Sequence, residues 1–314
     1  MPFETPAIKY NGKVRDAGIG HGKTMVRVGG QTCYPFHLFE GIMPNLPKIA
    51  MEIYDCQPDG WPAAAIKPFK DVFGNPPRWA QKCVKEYGAE IVCLQLEATD
   101  PNGLDRDPEE AAQITLSVAE AIDVPLIVWG TANPEKDKRV LARIAEKCSG
   151  KRLALGPVEE KNYKTVAEAA IHNNHLIIAS SPIDINLAKQ LNILLANTGI
   201  SPSDILIDPT VSSVGYGIEY CYSVMERIRI AALTQQDDKL QMPIICNVAR
   251  EVWKTKEAKI PAIDAPELGN EETRGILLEA VSAMILLLAG GDVMIMRHPK
   301  AIALVKEIIG ELAN

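Results

Sequence analysis

The chain has no excess of basic residues: 33 Lys and Arg stand against 40 Asp and Glu, a formal net charge of −7. That excludes nucleic acid as its main partner, because neutralising phosphates needs a clustered basic face. A long apolar run is also missing. The most apolar stretch, residues 276–289, is interrupted by Glu279 and falls short of the roughly 20 residues that span a bilayer. Residues 1–10 carry neither the basic start nor the apolar core of a signal peptide, so no membrane role and a cytoplasmic location are expected. The 7 cysteines are scattered and odd in number. This argues against a disulfide framework and against the closely spaced thiolates of an iron–sulfur cluster, and leaves core packing as their expected use. No Gly-x-Ser-x-Gly or His-Glu-x-x-His motif occurs, and no nucleophile–base pair is legible, so no catalytic residue and no metal ligand is assigned.

Two motifs resemble sites without meeting their requirements. Ala17-Gly18-Ile19-Gly20-His21-Gly22-Lys23-Thr24 comes close to a phosphate-binding loop, but its first glycine is Ala17 and a strand-like segment follows where a helix is needed. A Gly-rich turn is the expectation. His172 and His175 are three apart at the exit of a helix; a pair alone makes no zinc site, and both are expected at the surface.

What the sequence does contain is regular alternation. Short apolar strands are expected at 49–53, 91–96, 126–129, 153–155, 176–179, 205–207, 244–246 and 293–296, each followed by a helix with a 3.6-residue apolar period. Asp107-Pro108-Glu109-Glu110 opens one helix with a cap, a proline at the first position and an acid. Asn75 and Asn133, each before a proline, are candidate caps as well. Eight such units favour a closed (β/α)8 TIM barrel over an open doubly wound sheet. The expected division is an N-terminal extension, 1–48, on a barrel formed by 49–314. The extension should contain a hairpin turning at Asn11-Gly12, flanked by 7–10 and 13–15, and a further short strand at 24–28.

In such a barrel the chemistry sits on the loops after the strands. Those loops are rich in hydroxyls, amides and backbone donors and have few Lys or Arg, which suits a large neutral, amide-rich or heteroaromatic ligand. Asn133, Ser180, Ser212, Ser213, Tyr216 and Gly217 are the expected ligand contacts, with Asp184 and Asp208 as further cofactor-binding candidates. Glu97 and Asp208 end apolar strands, where a carboxylate needs a partner or a ligand. Residues 248–269 are long for a barrel loop and are expected to cover the mouth or meet another subunit.

Three blocks carry a family resemblance: Gly29-Gly30 with Pro35-Phe36-His37-Leu38-Phe39-Glu40-Gly41, Leu94-Gln95-Leu96-Glu97-Ala98-Thr99, and Asp208-Pro209-Thr210-Val211-Ser212-Ser213-Val214-Gly215-Tyr216-Gly217-Ile218-Glu219-Tyr220. The chain closely resembles, over essentially its whole length, the small subunit of the corrinoid iron–sulfur protein, called delta in acetyl-CoA decarbonylase/synthase. The resemblance implies a barrel paired in a heterodimer with a large subunit that carries an iron–sulfur cluster and a corrinoid (cobalamin) domain, the corrinoid lying against the barrel mouth. It further implies methyl transfer from a methyltetrahydrofolate methyltransferase to acetyl-CoA synthase, in the anaerobic acetyl-CoA (Wood–Ljungdahl) pathway of carbon fixation. No Asp-x-His-x-x-Gly corrinoid motif occurs here, consistent with another chain holding most of the cofactor. The alternative is a pterin-dependent methyltransferase, with Asp184, Asp208 and Asn247 binding the pterin. A third reading, an unrelated barrel lyase, lacks a strand-end lysine.

Overall fold

The computed structural model describes residues 6–313, so the reading of residues 1–10 falls partly outside them. An antiparallel pair comes first, β1 (Asp16–Ile19) and β2 (Val26–Gly29). The barrel strands follow: β3 (Lys48–Tyr54), β4 (Ile91–Gln95), β5 (Leu126–Trp129), β6 (Ala154–Val158), β7 (Leu176–Ser180), β8 (Ile205–Asp208), β9 (Ile244–Asn247) and β10 (Gly291–Met296). They are parallel and close as β10-β3-β4-β5-β6-β7-β8-β9. A TIM barrel with an N-terminal hairpin is therefore the architecture.

Between the strands lie α1 (Ala63–Ile66), α2 (Pro76–Tyr87), α3 (Pro108–Ala121), α4 (Pro134–Lys147), α5 (Tyr163–Asn173), α6 (Ile185–Asn197), α7 (Ile218–Leu233), α8 (Val248–Val252), α9 (Lys256–Lys259) and α10 (Glu271–Leu288), with α11 (Pro299–Leu312) after the last strand. The caps fall where local sequence puts them. Asn75 accepts from Arg78 N, Asp107 from Glu109 N and Asn133 from Lys136 N, each ahead of a proline in the first turn. No described helix is long and apolar enough to cross a membrane.

Alternate residues of a strand face opposite ways, and this divides the core in two. Ile49, Met51, Ile53, Val92 and Leu94 pack outward against the helices. Ala50, Cys93, Ile127, Ile178, Leu206, Ile245 and Ile295 fill the barrel interior. Each buried Ile, Leu, Val or Met among them contributes roughly 1.5–3 kcal/mol. Ala17, Ile19 and Val28 of the hairpin join the inner cluster, and Arg152 Nε, just before β6, donates to Gly18 O at 3.0 Å. The hairpin thus plugs the N-terminal end of the barrel and leaves the C-terminal end as the open one.

The hairpin is not where Asn11-Gly12 places it. Residues 6–15 form no strand; β1 and β2 flank the Gly-rich segment, whose Gly20 and Gly22 adopt φ of 82° and 59°. That segment is indeed a turn and no phosphate loop. Gly12 serves close approach instead: its N–H donates to Leu233 O at 2.8 Å, and a Cβ there would lie 2.0 Å from Ala232 O. Gly12→Ala is expected to lower unfolding free energy by about 1–3 kcal/mol, as overpacking does, read from urea denaturation; an unchanged midpoint would show that the contact carries no weight.

His175 is also not at the surface. It is buried, its Nδ1 accepts from Leu153 N at 3.0 Å, and its Nε2 lies 3.0 Å from Ala145 O. Asn174, with φ 61°, ends α5 in the left-handed conformation and turns the chain inward to β7. Six cysteines are buried, Cys56 is half-buried, and all seven are free.

Candidate functional site at the barrel mouth

The inward positions nearest the C-terminal strand ends are polar and buried: Glu52, Gln95, Ser180, Asp208 and Asn247, with Arg297 one residue beyond β10. They form two groups. In the first, Arg297 Nε donates to one Glu52 oxygen, Gln95 Nε2 donates to the other at 3.2 Å, and the guanidinium lies 3.6 Å from the centre of the Trp61 ring. In the second, Ser180 Oγ donates to Asp208 Oδ2 at 2.8 Å and Thr210 N donates to Oδ1 at 3.0 Å. The parallel register sets Ser180 directly beside Asp208. Gln95 Nε2 also lies 3.3 Å from Asn247 Oδ1. Asn247 Nδ2 and Gln95 Oε1 have no protein partner, and an unsatisfied buried polar atom costs about 1–3 kcal/mol.

Above this layer opens a cavity of about 330 Å³, lined by Trp129, Thr131, Asp208, Ser212, Asn247 and Arg250 among others. A more apolar cleft of about 520 Å³ adjoins it along α6, sharing Ser180, Thr210 and Ser212. The 248–269 segment folds into α8, α9 and a 3-10 turn, Pro266–Leu268, and α8 lies at the mouth. From α8, Arg250 reaches Glu97 at 3.5 Å and Gly130 O at 3.4 Å, bracing the loops after β4 and β5. Glu97 therefore has its partner within the chain.

Burial pushes the Asp208 carboxyl up to about 7 against the hydrogen bonds from Ser180 and Thr210, with nearby Glu251 and Glu159 adding to the rise. Burial likewise raises Glu279, which receives the N–H groups of Arg297 and His298, to about 7. A carboxyl raised on folding contributes stability that is complete below its unfolded pKa, near 4, and is lost as pH climbs through about 7. Asp208→Asn should flatten the decline of stability over that window by up to ~1.4 kcal/mol per pH unit; denaturation at pH 4.5, 5.5 and 6.5 checks it, and an unchanged slope contradicts it.

The mouth cavity brings together three of the candidates, Ser180, Asp208 and Ser212, along with Asn247. Others have local structural roles. Asn133 caps α4, Asp184 caps α6 by accepting from Asn186 N and Leu187 N, and buried Ser213 lies 2.8 Å from Cys221 Sγ. Tyr216 stands 78% exposed on the rim beside a second cleft shared with Thr255, and buried Gly217 precedes α7, where a Cβ would meet the Tyr220 ring at 2.7 Å. Sequence reasoning missed Glu52, Gln95, Arg297 and Arg250. The available signal was period-two alternation: Ala50-Met51-Glu52-Ile53-Tyr54 turns Glu52 inward with Ala50.

A family model described as CO dehydrogenase/acetyl-CoA synthase delta subunit matches residues 16–309. The acetyl-CoA decarbonylase/synthase complex subunit delta of Methanothermobacter thermautotrophicus is 36% identical over 308 residues, 98% of this chain and 77% of that protein. The subunit of the same name from Methanocaldococcus jannaschii is 34% identical over 320 residues, 98% of this chain and 76% of that protein. Among solved structures, a Xanthomonas albilineans dihydropteroate synthase in complex with 7,8-dihydropteroate aligns with TM-score 0.54 at 11% identity, over 87% of this chain and 97% of that one. Yersinia pestis dihydropteroate synthase aligns with TM-score 0.52 at 13% identity, over 86% and 94%. These two likenesses concern the fold.

Proposed function

The chain belongs to the CO dehydrogenase/acetyl-CoA synthase delta subunit family, and on that premise we propose that its barrel mouth covers the corrinoid of a partner subunit in a methyl-transfer complex. The partner is the large corrinoid iron–sulfur subunit. The methyl donor is a methyltetrahydrofolate methyltransferase and the acceptor acetyl-CoA synthase. When bound, the corrinoid supplies the cobalt that takes up and gives up the methyl group.

The observation that carries this reading is the mouth itself: an open, buried polar layer with two unpaired amide atoms, Asn247 Nδ2 and Gln95 Oε1, beneath a rim of Ser212 and exposed Tyr216. Its cavity, about 330 Å³, lies at the small end of ligand pockets, which run from about 300 to 1,000 Å³. A cavity of that volume would take a peripheral arm and not a whole corrin macrocycle, so the ring would lie over the rim. Neutral hydroxyls and amides suit the ring's amide arms. Arg250, held by Glu97 and Gly130 O, keeps the rim loops in place and limits water over the covered face. The iron–sulfur cluster would be carried by the partner; the seven cysteines here are free, and six of them are buried.

The test is co-expression with the corrinoid-bearing partner. The reading requires a stable pair on gel filtration, and slower reaction of the reduced corrinoid with a soluble alkylating agent in the pair than in the partner alone. Equal rates would overturn it. The second reading, a pterin-dependent methyltransferase, is favoured by one observation: Asp208 and Asn247 line a single cavity. Asp184, the third candidate, is taken up by capping α6. Methyl transfer from methyltetrahydrofolate to free cobalamin by the isolated chain would establish that reading; the proposed role requires none.

A further inference from the structure

The donor–acceptor pattern of the mouth cavity specifies what part of a ligand can enter it. Asn247 is buried, its oxygen faces Gln95, and its Nδ2 is unpaired. It needs an acceptor. Asp208, also buried, has one hydrogen bond on each oxygen, from Ser180 and from Thr210 N, which leaves each oxygen room for another donor. A cation would pair with Asp208 and leave the Asn247 amide unsatisfied. An anion would satisfy Asn247 but be repelled by Asp208 and Glu159, because the two cations of the lining, Arg250 and Lys254, are already paired with Glu97 and Glu251. A neutral carboxamide edge, one C=O beside one N–H, answers both groups without bringing in charge. Trp129, Pro157 and Val211 supply apolar wall for the stem that carries it.

We propose that this cavity is the receptor for one peripheral carboxamide arm of the corrinoid, with Asn247 donating to the arm's carbonyl and Asp208 accepting its N–H. The proposal rests on the corrinoid reading above and adds to it a residue-level basis for choosing among corrinoids. The lactam edge of a free pterin presents the same donor and acceptor, so the experiment separates the two sources.

The pair of this chain and its corrinoid-bearing partner is loaded with cobalamin, or with each of its derivatives in which a single carboxamide arm is hydrolysed to a carboxylate. Retention is measured by corrinoid absorbance after gel filtration and by competition, at about pH 8.5, above the raised Asp208 value of about 7, so that its carboxyl is ionised. One derivative should be held at least tenfold more weakly than cobalamin, and Asp208→Asn should abolish most of that difference, because an amide no longer repels the carboxylate. Asn247→Leu should weaken cobalamin itself about tenfold. Far-ultraviolet circular dichroism and pair formation confirm that both variants are folded. Equal retention of every derivative, or discrimination unchanged in Asp208→Asn, overturns the proposal while the covered corrinoid stands. If the partner alone shows the same affinities as the pair, the corrinoid reading itself fails. Saturable binding of tetrahydrofolate to the isolated chain, lost in Asp208→Asn, would overturn the arm assignment in favour of a heterocycle.

Discussion

Arg229→Met is expected to remove about 3–5 kcal/mol of unfolding free energy, because it leaves an uncompensated buried charge. Arg229 is wholly buried on α7. Its Nε and Nη2 donate to Gly290 O at 3.0 and 2.6 Å, its Nη1 donates to Met242 O at 3.1 Å, and its Nη2 pairs with Asp292. Asp292 in turn accepts from Ile244 N at 2.7 Å and from Gln31 Nε2 at 2.8 Å. One guanidinium therefore ties α7, the entries to β9 and β10, and the N-terminal segment. Methionine fills similar volume but strands the carboxylate and two carbonyls. Arg229→Met with Asp292→Asn should recover part of the loss, since the remaining defect is then unpaired but neutral. Urea denaturation of the two single variants and the double decides it; additive losses would mean that the pair is not coupled.

The second large effect is at the other end of the barrel. Glu52→Gln should cost a similar ~3–5 kcal/mol by removing the carboxylate that faces Arg297 within the polar layer. The guanidinium would keep a neutral amide oxygen, the Tyr54 hydroxyl at 3.3 Å and the Trp61 and Tyr54 ring faces, but would lose the carboxylate charge it pairs with. Unlike the Arg229 substitution, this one reaches the mouth, because Gln95 bridges Glu52 to Asn247. Glu52→Gln should therefore also lower corrinoid retention in the pair and change the fluorescence of Trp61. A stability loss without either change would show that the polar layer is structural only.

The order of strands and helices was legible because each unit announces itself locally. Asp107, Asn75 and Asn133 open helices that local capping rules identify, and the apolar periods of α3 and α4 were plain in the chain. What stayed hidden depends on contacts across long separations. Glu52 and Arg297 are 245 residues apart, and Gln95 and Asn247 are 152 apart. Only closing the barrel through β10 and β3 makes neighbours of the first pair. Reading β3 and β4 as apolar strands hid their polar inward positions, Glu52 and Gln95. Arg250 went unnoticed because its role exists only once α8 folds at the mouth. The Asn11-Gly12 signal misled for a related reason: a glycine needed for contact with Ala232 carries the same letter as one needed for a turn. Ser180, Asp208 and Ser212 were found because strand ends mark the open face of this fold. Asn133 and Asp184 share that address but cap the helices that follow.

Hydrogen exchange of the assembled pair, with and without its corrinoid, tests the central claim most directly. Loading should slow exchange at the backbone amides of 208–217 and 247–255, the loops that rim the cavity, while the hairpin residues 16–29 at the opposite end stay unchanged. Unaltered exchange in both rim segments on loading would contradict a barrel mouth that covers the macrocycle.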